Sequence, residues 1–311
     1  MTLFQAIVLG IVQGLTEFIP ISSTAHLVFA ARAAGLYEGV EATLRAEQTT
    51  ATIAVVQLGT LLAVLAYFWR DILHISESFL RDHLALINGQ RARSVSKGSS
   101  LYQSGEPIRD NSGRWLSPEA WLGWLVIIGS IPVAVFGLVF RKQIEGTLTK
   151  NLWVIATMMI VVAILLGIAE LVGKRTRSLA ELGAGDALAV GFAQALALLP
   201  GASRSGSTIM AGLFAGQLRE TAARFSFLLS IPAIAASGIF ELRAAIVKLP
   251  SDSYLSLAVA TMVSGIVGYA SIWFLLRFLR AHSTGIFIFY RLIVGGLILV
   301  ALSAGYLSAS V

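Results

Sequence analysis

Five stretches of this chain, residues 51–69, 120–140, 151–169, 253–276 and 292–311, hold no charged side chain over a length that can cross a lipid bilayer. A hydrocarbon core about 30 Å thick takes roughly 20 helical residues. A sixth run, 225–240, is shorter and can extend through its flanks. Lipid offers no water to backbone N–H and C=O groups, so only helices or closed barrels cross it, and unbroken runs of this length select helices. The expectation is an all-α integral membrane protein. A charged fraction of 13% and a mean hydropathy of +0.80 agree.

The absence of cysteine excludes disulfides, thiolate nucleophiles and thiolate metal sites. A net charge of +6 could suggest nucleic acid. The basic residues lie in loops between apolar runs, however, where membrane orientation and anionic headgroups account for them, so no nucleic-acid partner is expected. "MTLFQAIVLG" lacks the basic start of a cleavable signal and is read as retained structure.

Two apolar segments are unlike the spans. Residues 1–31 carry Glu17 and His26 around Pro20, and residues 187–214 carry "PGASRSGST" around Arg204. A charge at the bilayer centre costs about 3 kcal/mol or more, and Pro, Gly and Ser clusters break helices there. Irregular backbone at that depth has to be buried in protein or line a polar cavity. "GIVQGLTEFIPISS" from Gly10 and "GFAQALALLPGAS" from Gly191 share Gly, Gln, Pro and Ser with one residue of slip before the proline. Each is followed by three spans. An odd number of spans after a hairpin that enters and leaves on one side turns the second copy upside down. The expected architecture is therefore an inverted-topology repeat, each copy a re-entrant helical hairpin plus three transmembrane helices. The first copy covers 1–172, with its hairpin at 1–36 and a polar, turn-rich cytoplasmic insertion at 71–117; the second covers 187–311, with its hairpin at 187–214. The loops at 70–117, 173–186, 214–224 and 277–285 then collect fourteen of the 23 Lys/Arg on one side. That bias places them in the cytoplasm and both termini outside.

"PGASRSGST" has the makings of a phosphate site. Small residues allow a tight turn, the N–H groups opening the next helix favour an anion, and Arg204 adds a charged planar fork. Ser203, Ser205, Ser207 and Thr208 add hydroxyls; the bland reading is a helix break with a snorkelling arginine. "QGLTEFIPISSTAH" supplies groups for proton transfer and nucleophile activation. Gln13 and Glu17 share a helical face, Pro20 frees Ser22, Ser23 and Thr24 into a turn, and His26 follows. Separately, Glu17 could be the ion-pair partner of Arg204, His26 an interfacial histidine, and Ser22 and Ser23 helix caps. Arg291 in "FYRLIV" either pairs with Glu17 or a phosphate, or lies against backbone carbonyls. Gln57 in "VVQLGT" is expected to serve interhelical packing, the alternative being a hydrogen bond to the re-entrant backbone. His74, His83 and His282 fall in loops and receive no role. Neither zinc-type spacing nor a Walker sequence is present.

Gln13 to Glu17, Pro20 to His26 in P-x-S-S-T-x-H, and Pro200 to Thr208 in P-G-x-S-R-S-x-x-T together resemble the undecaprenyl-diphosphate phosphatase family, also called the bacitracin-resistance family. The likeness continues through "VVQLGTLLAV", "FSFLLSIPA" and "YRLIVG". The resemblance implies a multi-pass enzyme of the bacterial plasma membrane, its active site opening outward. It implies hydrolysis of a polyprenyl diphosphate lipid, which recycles the carrier for peptidoglycan and confers bacitracin resistance. By motif position it implies a site of Glu17, Ser23, His26, Ser203, Arg204 and Thr208, with Mg²⁺ or Ca²⁺ as cofactor and Glu17 as the candidate metal ligand. Gln13 stands at the first acidic position, and Ile53 stands where relatives often carry an acid, which weakens a carboxylate metal site.

The reading that follows gives Arg204 and the hairpin N–H groups the diphosphate, supported by Ser203 and Thr208. Ser23 or an oriented water attacks the terminal phosphorus, His26 moves protons, and Glu17 positions His26 or a cation. The rival from another class is a lipid-phosphate flippase without hydrolysis, since hairpins meeting at mid-membrane also serve transporters. A membrane scaffold leaves the intramembrane Arg and Glu without purpose. Whether two copies pair as a homodimer is left open.

Overall fold

A computed structural model describes residues 1–36, 42–88, 115–140, 151–249 and 253–309. Its elements are helices: α1 Leu3–Phe18, α2 Ser23–Ala33, α3 Ala42–Tyr67, α4 Trp69–Ile87, α5 Pro118–Val139, α6 Leu152–Val172, α7 Ala184–Leu196, α8 Arg204–Phe214, α9 Arg219–Lys248, α10 Tyr254–Ala281 and α11 Gly285–Ser303. Among the described residues six are long and apolar enough to cross a membrane: Gln48–Tyr67, Pro118–Val139, Leu152–Val172, Arg219–Ile239, Tyr254–Ala281 and Gly285–Ser303. This is the multi-pass membrane protein that the apolar runs require. The last span starts earlier than its uncharged run because it takes Arg291 inside, and it stops where Gly305 turns at φ +74°.

Neither α1 nor α7 is followed by a span; each turns back into an eleven-residue helix, α2 or α8. Thr2 and Gln5 cap α1 reciprocally, and Gln5 Nε2 donates to Ala34 O at 2.7 Å, tying the start of α1 to the end of α2. Asp186 caps α7 through the N–H of Gly183 at 2.7 Å. It also takes both arms of Arg177, at 2.6 and 2.7 Å, while Arg177 donates to Ala215 O beyond α8 at 3.0 Å. The hydrogen bonds to the Asp186 carboxylate raise the Arg177 guanidinium above its ordinary range. Each hairpin is thus closed at its base and returns to the side it came from. At the tips, Ser22 and Ser203 precede the second helices with φ of +80° and +69°. The pairs Leu3/Ala184, Gln13/Gln194, Ser22/Ser203 and Gly35/Gly216 all lie 181 positions apart. The match runs in one register, so the slip seen in sequence belongs to the prolines alone.

The hairpins embed through small residues, as membrane helices do when close backbone approach replaces a hydrophobic driving force. Gly10 and Gly14 let α1 lie on α10, where a Cβ at Gly10 would sit 2.6 Å from Ala260 O. α7 meets α5 in the same way, Gly191 against Gly129. Around them Phe18, Phe68, Phe225, Phe227, Ile209 and Leu275 build the main buried core.

Residues 69–87 depart from the expected insertion. They form α4, because Ile72, Ile75 and Phe79 recur at helical spacing and pack on α5 at Gly123. Its buried face is polar: Asp71 reaches Arg224 at 3.5 Å, and Asp82 accepts the Ser117 N–H at 2.8 Å, capping α5. His74 and His83 therefore lie on a helix, not in a loop, and His83 accepts the Trp124 indole N–H at 3.0 Å. The rest of the expected insertion, 89–114, lies outside the described residues. The same end of the bundle is laced by ion pairs. Glu170 takes Arg219 Nε at 2.7 Å and the Thr284 hydroxyl at 2.8 Å, and Glu220 takes Arg280 at 2.9 Å.

Gly201 and Gly59 are the tightest points among the described residues, each with a backbone oxygen 2.1 Å from a would-be Cβ, and Gly201 also needs a positive φ. Gly201 has φ +89°, and a Cβ there would stand 2.1 Å from Ile155 O. Gly201→Ala should lower the thermal unfolding midpoint in detergent by about 5 °C or more, whereas Gly185→Ala, with nothing within 4 Å, should leave it unchanged. Size-exclusion of heated samples checks both.

Candidate active site

The last turn of α1 presents Glu17, 7% exposed. Gln13, one turn earlier, donates through Nε2 to Glu17 Oε2 at 3.0 Å, as their spacing predicts. Oε1 receives Gln57 Nε2 of α3 at 3.4 Å and is ion-paired with Arg204, the first residue of α8. Gln57 thus hydrogen-bonds to the re-entrant hairpin, at the Glu17 side chain and not at its backbone. The carboxylate of one hairpin orients the guanidinium of the other.

Arg291 settles between its two readings in favour of carbonyls. Fully buried, it donates from Nε to Met159 O at 3.1 Å and from Nη1 to Pro20 O at 3.4 Å. Its Nη2 reaches Met158 O at 3.3 Å, Gly201 O at 3.0 Å and Ala202 O at 3.1 Å. Both hairpin tips are held by this one side chain, which places them next to each other.

His26, on the first turn of α2, has two partners. Its Nδ1 lies 2.7 Å from Ser22 O, and its Nε2 lies 2.7 Å from the hydroxyl of Tyr290 on α11, the two rings stacked at 15°. A carbonyl only accepts, so Nδ1 carries the hydrogen. Glu17, expected to position His26, is instead taken up by Gln13, Gln57 and Arg204. The two second helices also start differently. Ser203 Oγ accepts the Gly206 N–H at 3.2 Å, whereas Ser22 makes no side-chain cap, leaving the N–H groups that open α2 without that partner. An uncapped helix start beside an arginine favours an anion.

Three expected phosphate ligands are placed elsewhere. Ser205, Ser207 and Thr208 are buried at 2%, 0% and 0% exposure. Thr208 donates to Arg204 O at 2.7 Å and bonds Ser226, and Ser207 reaches Ala202 O at 3.5 Å. Every residue of α8 from Ser205 to Leu213 is buried, so the helix is enclosed on all sides and these hydroxyls bond within the protein, Ser205 Oγ lying 3.3 Å from Ser203 Oγ. Ser22 is buried as well, and Ser23, Thr24, His26, Ser203 and Arg204 remain accessible. Ser226 and Tyr290 lie in "FSFLLSIPA" and "YRLIVG", where the family likeness continues, but neither carries a role that sequence alone assigns.

The donor set does not fit a divalent cation held by the protein. Among the described residues no cluster of three or more His, Asp or Glu is placed to bind one. Three N–H donors already occupy the Glu17 carboxylate, one on Oε2 and two on Oε1, and an oxygen-seeking cation needs several further oxygen ligands that no acidic neighbour of Glu17 supplies among the described residues.

Residues 6–297 match the family model described as Bacitracin resistance protein BacA. The chain belongs to that family. An undecaprenyl-diphosphatase of Syntrophobacter fumaroxidans is 50% identical over 299 residues, covering 96% of this chain and 97% of that protein. Those of Chlorobium phaeovibrioides, at 44% over 316 residues, and of Mycolicibacterium gilvum, at 43% over 312 residues, each cover 99% of this chain and at least 99% of their own length. The BacA likeness therefore takes in both hairpins and all six spans.

Removing one partner of a buried ion pair leaves the other charge uncompensated, at a cost of about 3–5 kcal/mol. Glu17→Leu alone should destabilise the protein by that order. Adding Arg204→Met should restore a large part, because the pair is then gone as a unit. Thermal unfolding of the single and double variants measures the coupling.

Proposed function

We propose that this protein hydrolyses undecaprenyl diphosphate to undecaprenyl phosphate and inorganic phosphate, recycling the lipid carrier for cell-wall polymers. The observation that carries the reading is the joining of the two hairpins by the Glu17–Arg204 ion pair and by Arg291, which holds both tips next to the uncapped helix α2 that bears Ser23 and His26. Near-full-length relatives named for this activity support it.

Arg204 spends one edge on Glu17 and turns its remaining N–H groups to the terminal phosphate, while the backbone N–H groups opening α2 take a second anionic oxygen. Ser23 Oγ, or a water it orients, attacks phosphorus in line, and the bond to the bridging oxygen breaks with the lipid phosphate as leaving group; on the serine route a water then attacks the phosphoserine, the bond from phosphorus to Ser23 Oγ breaks, Oγ regains a proton and inorganic phosphate leaves. The proton of the attacking oxygen goes to Nε2 of His26, whose other nitrogen is kept protonated by Ser22 O. Fixed charge around the transferring group supplies most of the acceleration, since phosphoryl transfer asks little covalent work of the protein. No step passes through the Mg²⁺ or Ca²⁺ expected from the resemblance.

The two hairpins, with their common 181-residue register, are read as the cores of two inverted copies, 1–172 and 187–311. The loop charge bias assigns the ion-paired end to the cytoplasm of a bacterial plasma membrane and the site to its outer face.

Purified protein in detergent should release phosphate from a polyprenyl diphosphate. Arg204→Ala and His26→Ala should each lower kcat by about 100-fold or more while remaining monodisperse. Folded wild-type protein that binds the lipid but releases no phosphate would overturn the assignment and leave a flippase.

A further inference from the structure

We propose that Tyr290 is a positioning residue for His26, its phenol hydroxyl donating to Nε2 and thereby fixing the orientation of the ring that the hydrolysis uses. The inference rests on the reading above. The direction of the bond follows from chemistry on the page: Ser22 O at 2.7 Å forces the hydrogen onto Nδ1, a neutral imidazole then has a lone pair on Nε2, and Tyr290 Oη at 2.7 Å has to be the donor. With Nδ1 alone engaged, the ring could turn about its bond to Cβ and carry Nε2 away from the phosphate. The stacked phenol, ring centroids 5.6 Å apart, holds the plane, and the hydroxyl holds the edge.

The placement of Tyr290 is itself determined. It is next in sequence to Arg291, whose guanidinium grips Pro20 O, Gly201 O and Ala202 O. The side chain that fixes the hairpin tips therefore also fixes where on α11 the phenol stands relative to α2. Tyr290 is 39% exposed, at the rim of the site. Its hydroxyl can yield Nε2 to the attacking oxygen and return afterwards without unpacking the core.

Tyr290→Phe keeps the stacked ring and removes the donor. Phosphate release by this variant should show kcat lowered by about tenfold, in the range seen when a partner that orients a histidine is removed, with KM changed less than about twofold. In the His26→Gln background the same substitution should add no further loss, because the tyrosine acts through the histidine. ¹⁵N-histidine NMR of wild-type protein, with the His26 resonance identified from its loss in His26→Gln, should report the Nδ1–H tautomer that Ser22 O sets, and Tyr290→Phe should keep that tautomer while shifting the Nε2 resonance, because its lone pair has lost the phenol donor. Unchanged kcat in Tyr290→Phe, or losses that add to those of His26→Gln, would overturn the proposal. So would a wild-type His26 in the Nε2–H form, a readout that needs neither the variant nor activity. If wild-type protein releases no phosphate, the hydrolytic reading fails, while the tautomer still reports on the Tyr290 bond.

Discussion

Five backbone carbonyls converge on the guanidinium of Arg291, and the site depends on that convergence. A chain that turns back inside a membrane removes carbonyls from the helical ladder where no lipid can replace the lost bonds. Each buried unpaired group costs about 1–3 kcal/mol. Arginine is the side chain that can meet this demand, with five N–H donors in a fixed plane. Its donation to Pro20, Met158, Met159, Gly201 and Ala202 pairs carbonyls of both tips and of α6. A buried charge that would be costly alone becomes the joint between two hairpins.

Once the tips are joined, their side chains can divide the work. Glu17 accepts Gln13, Gln57 and Arg204 and so presents an oriented cation. His26 is clamped from both edges by Ser22 O and Tyr290. The two groups share no partner, which separates binding of the phosphate from movement of its proton. Gln13 fits this division: an amide donates to Glu17, whereas a second carboxylate there would repel it unless a proton or cation intervened.

The remainder of the molecule resists motion at one end and allows close packing at mid-depth. Ion pairs through Glu170, Glu220, Asp71 and Arg177 tie α4, α6, α9, α10 and the base of the second hairpin. Small residues on α1, α5, α7 and α10 let the hairpin helices sit backbone against backbone. Both features keep the tips in register at the cost of few polar groups facing lipid.

Most of the architecture was legible because lipid imposes it. Span length, the helical state and the two broken segments follow from residues that either can or cannot sit in hydrocarbon, and the one-turn spacing of Gln13 and Glu17 is a property of a single helix. The family motifs likewise marked Glu17, His26 and Arg204. What lies between elements was not legible. Only the packed helices show that Ser205, Ser207 and Thr208 face inward, that Gln57 reaches Glu17 from another span, and that Arg291 takes carbonyls and not a carboxylate. Tyr290 meets His26 across 264 positions of chain, a distance over which sequence periodicity holds no information. Hydropathy decides which residues enter the membrane. Which of them touch is decided by the close approach of helices far apart in the chain.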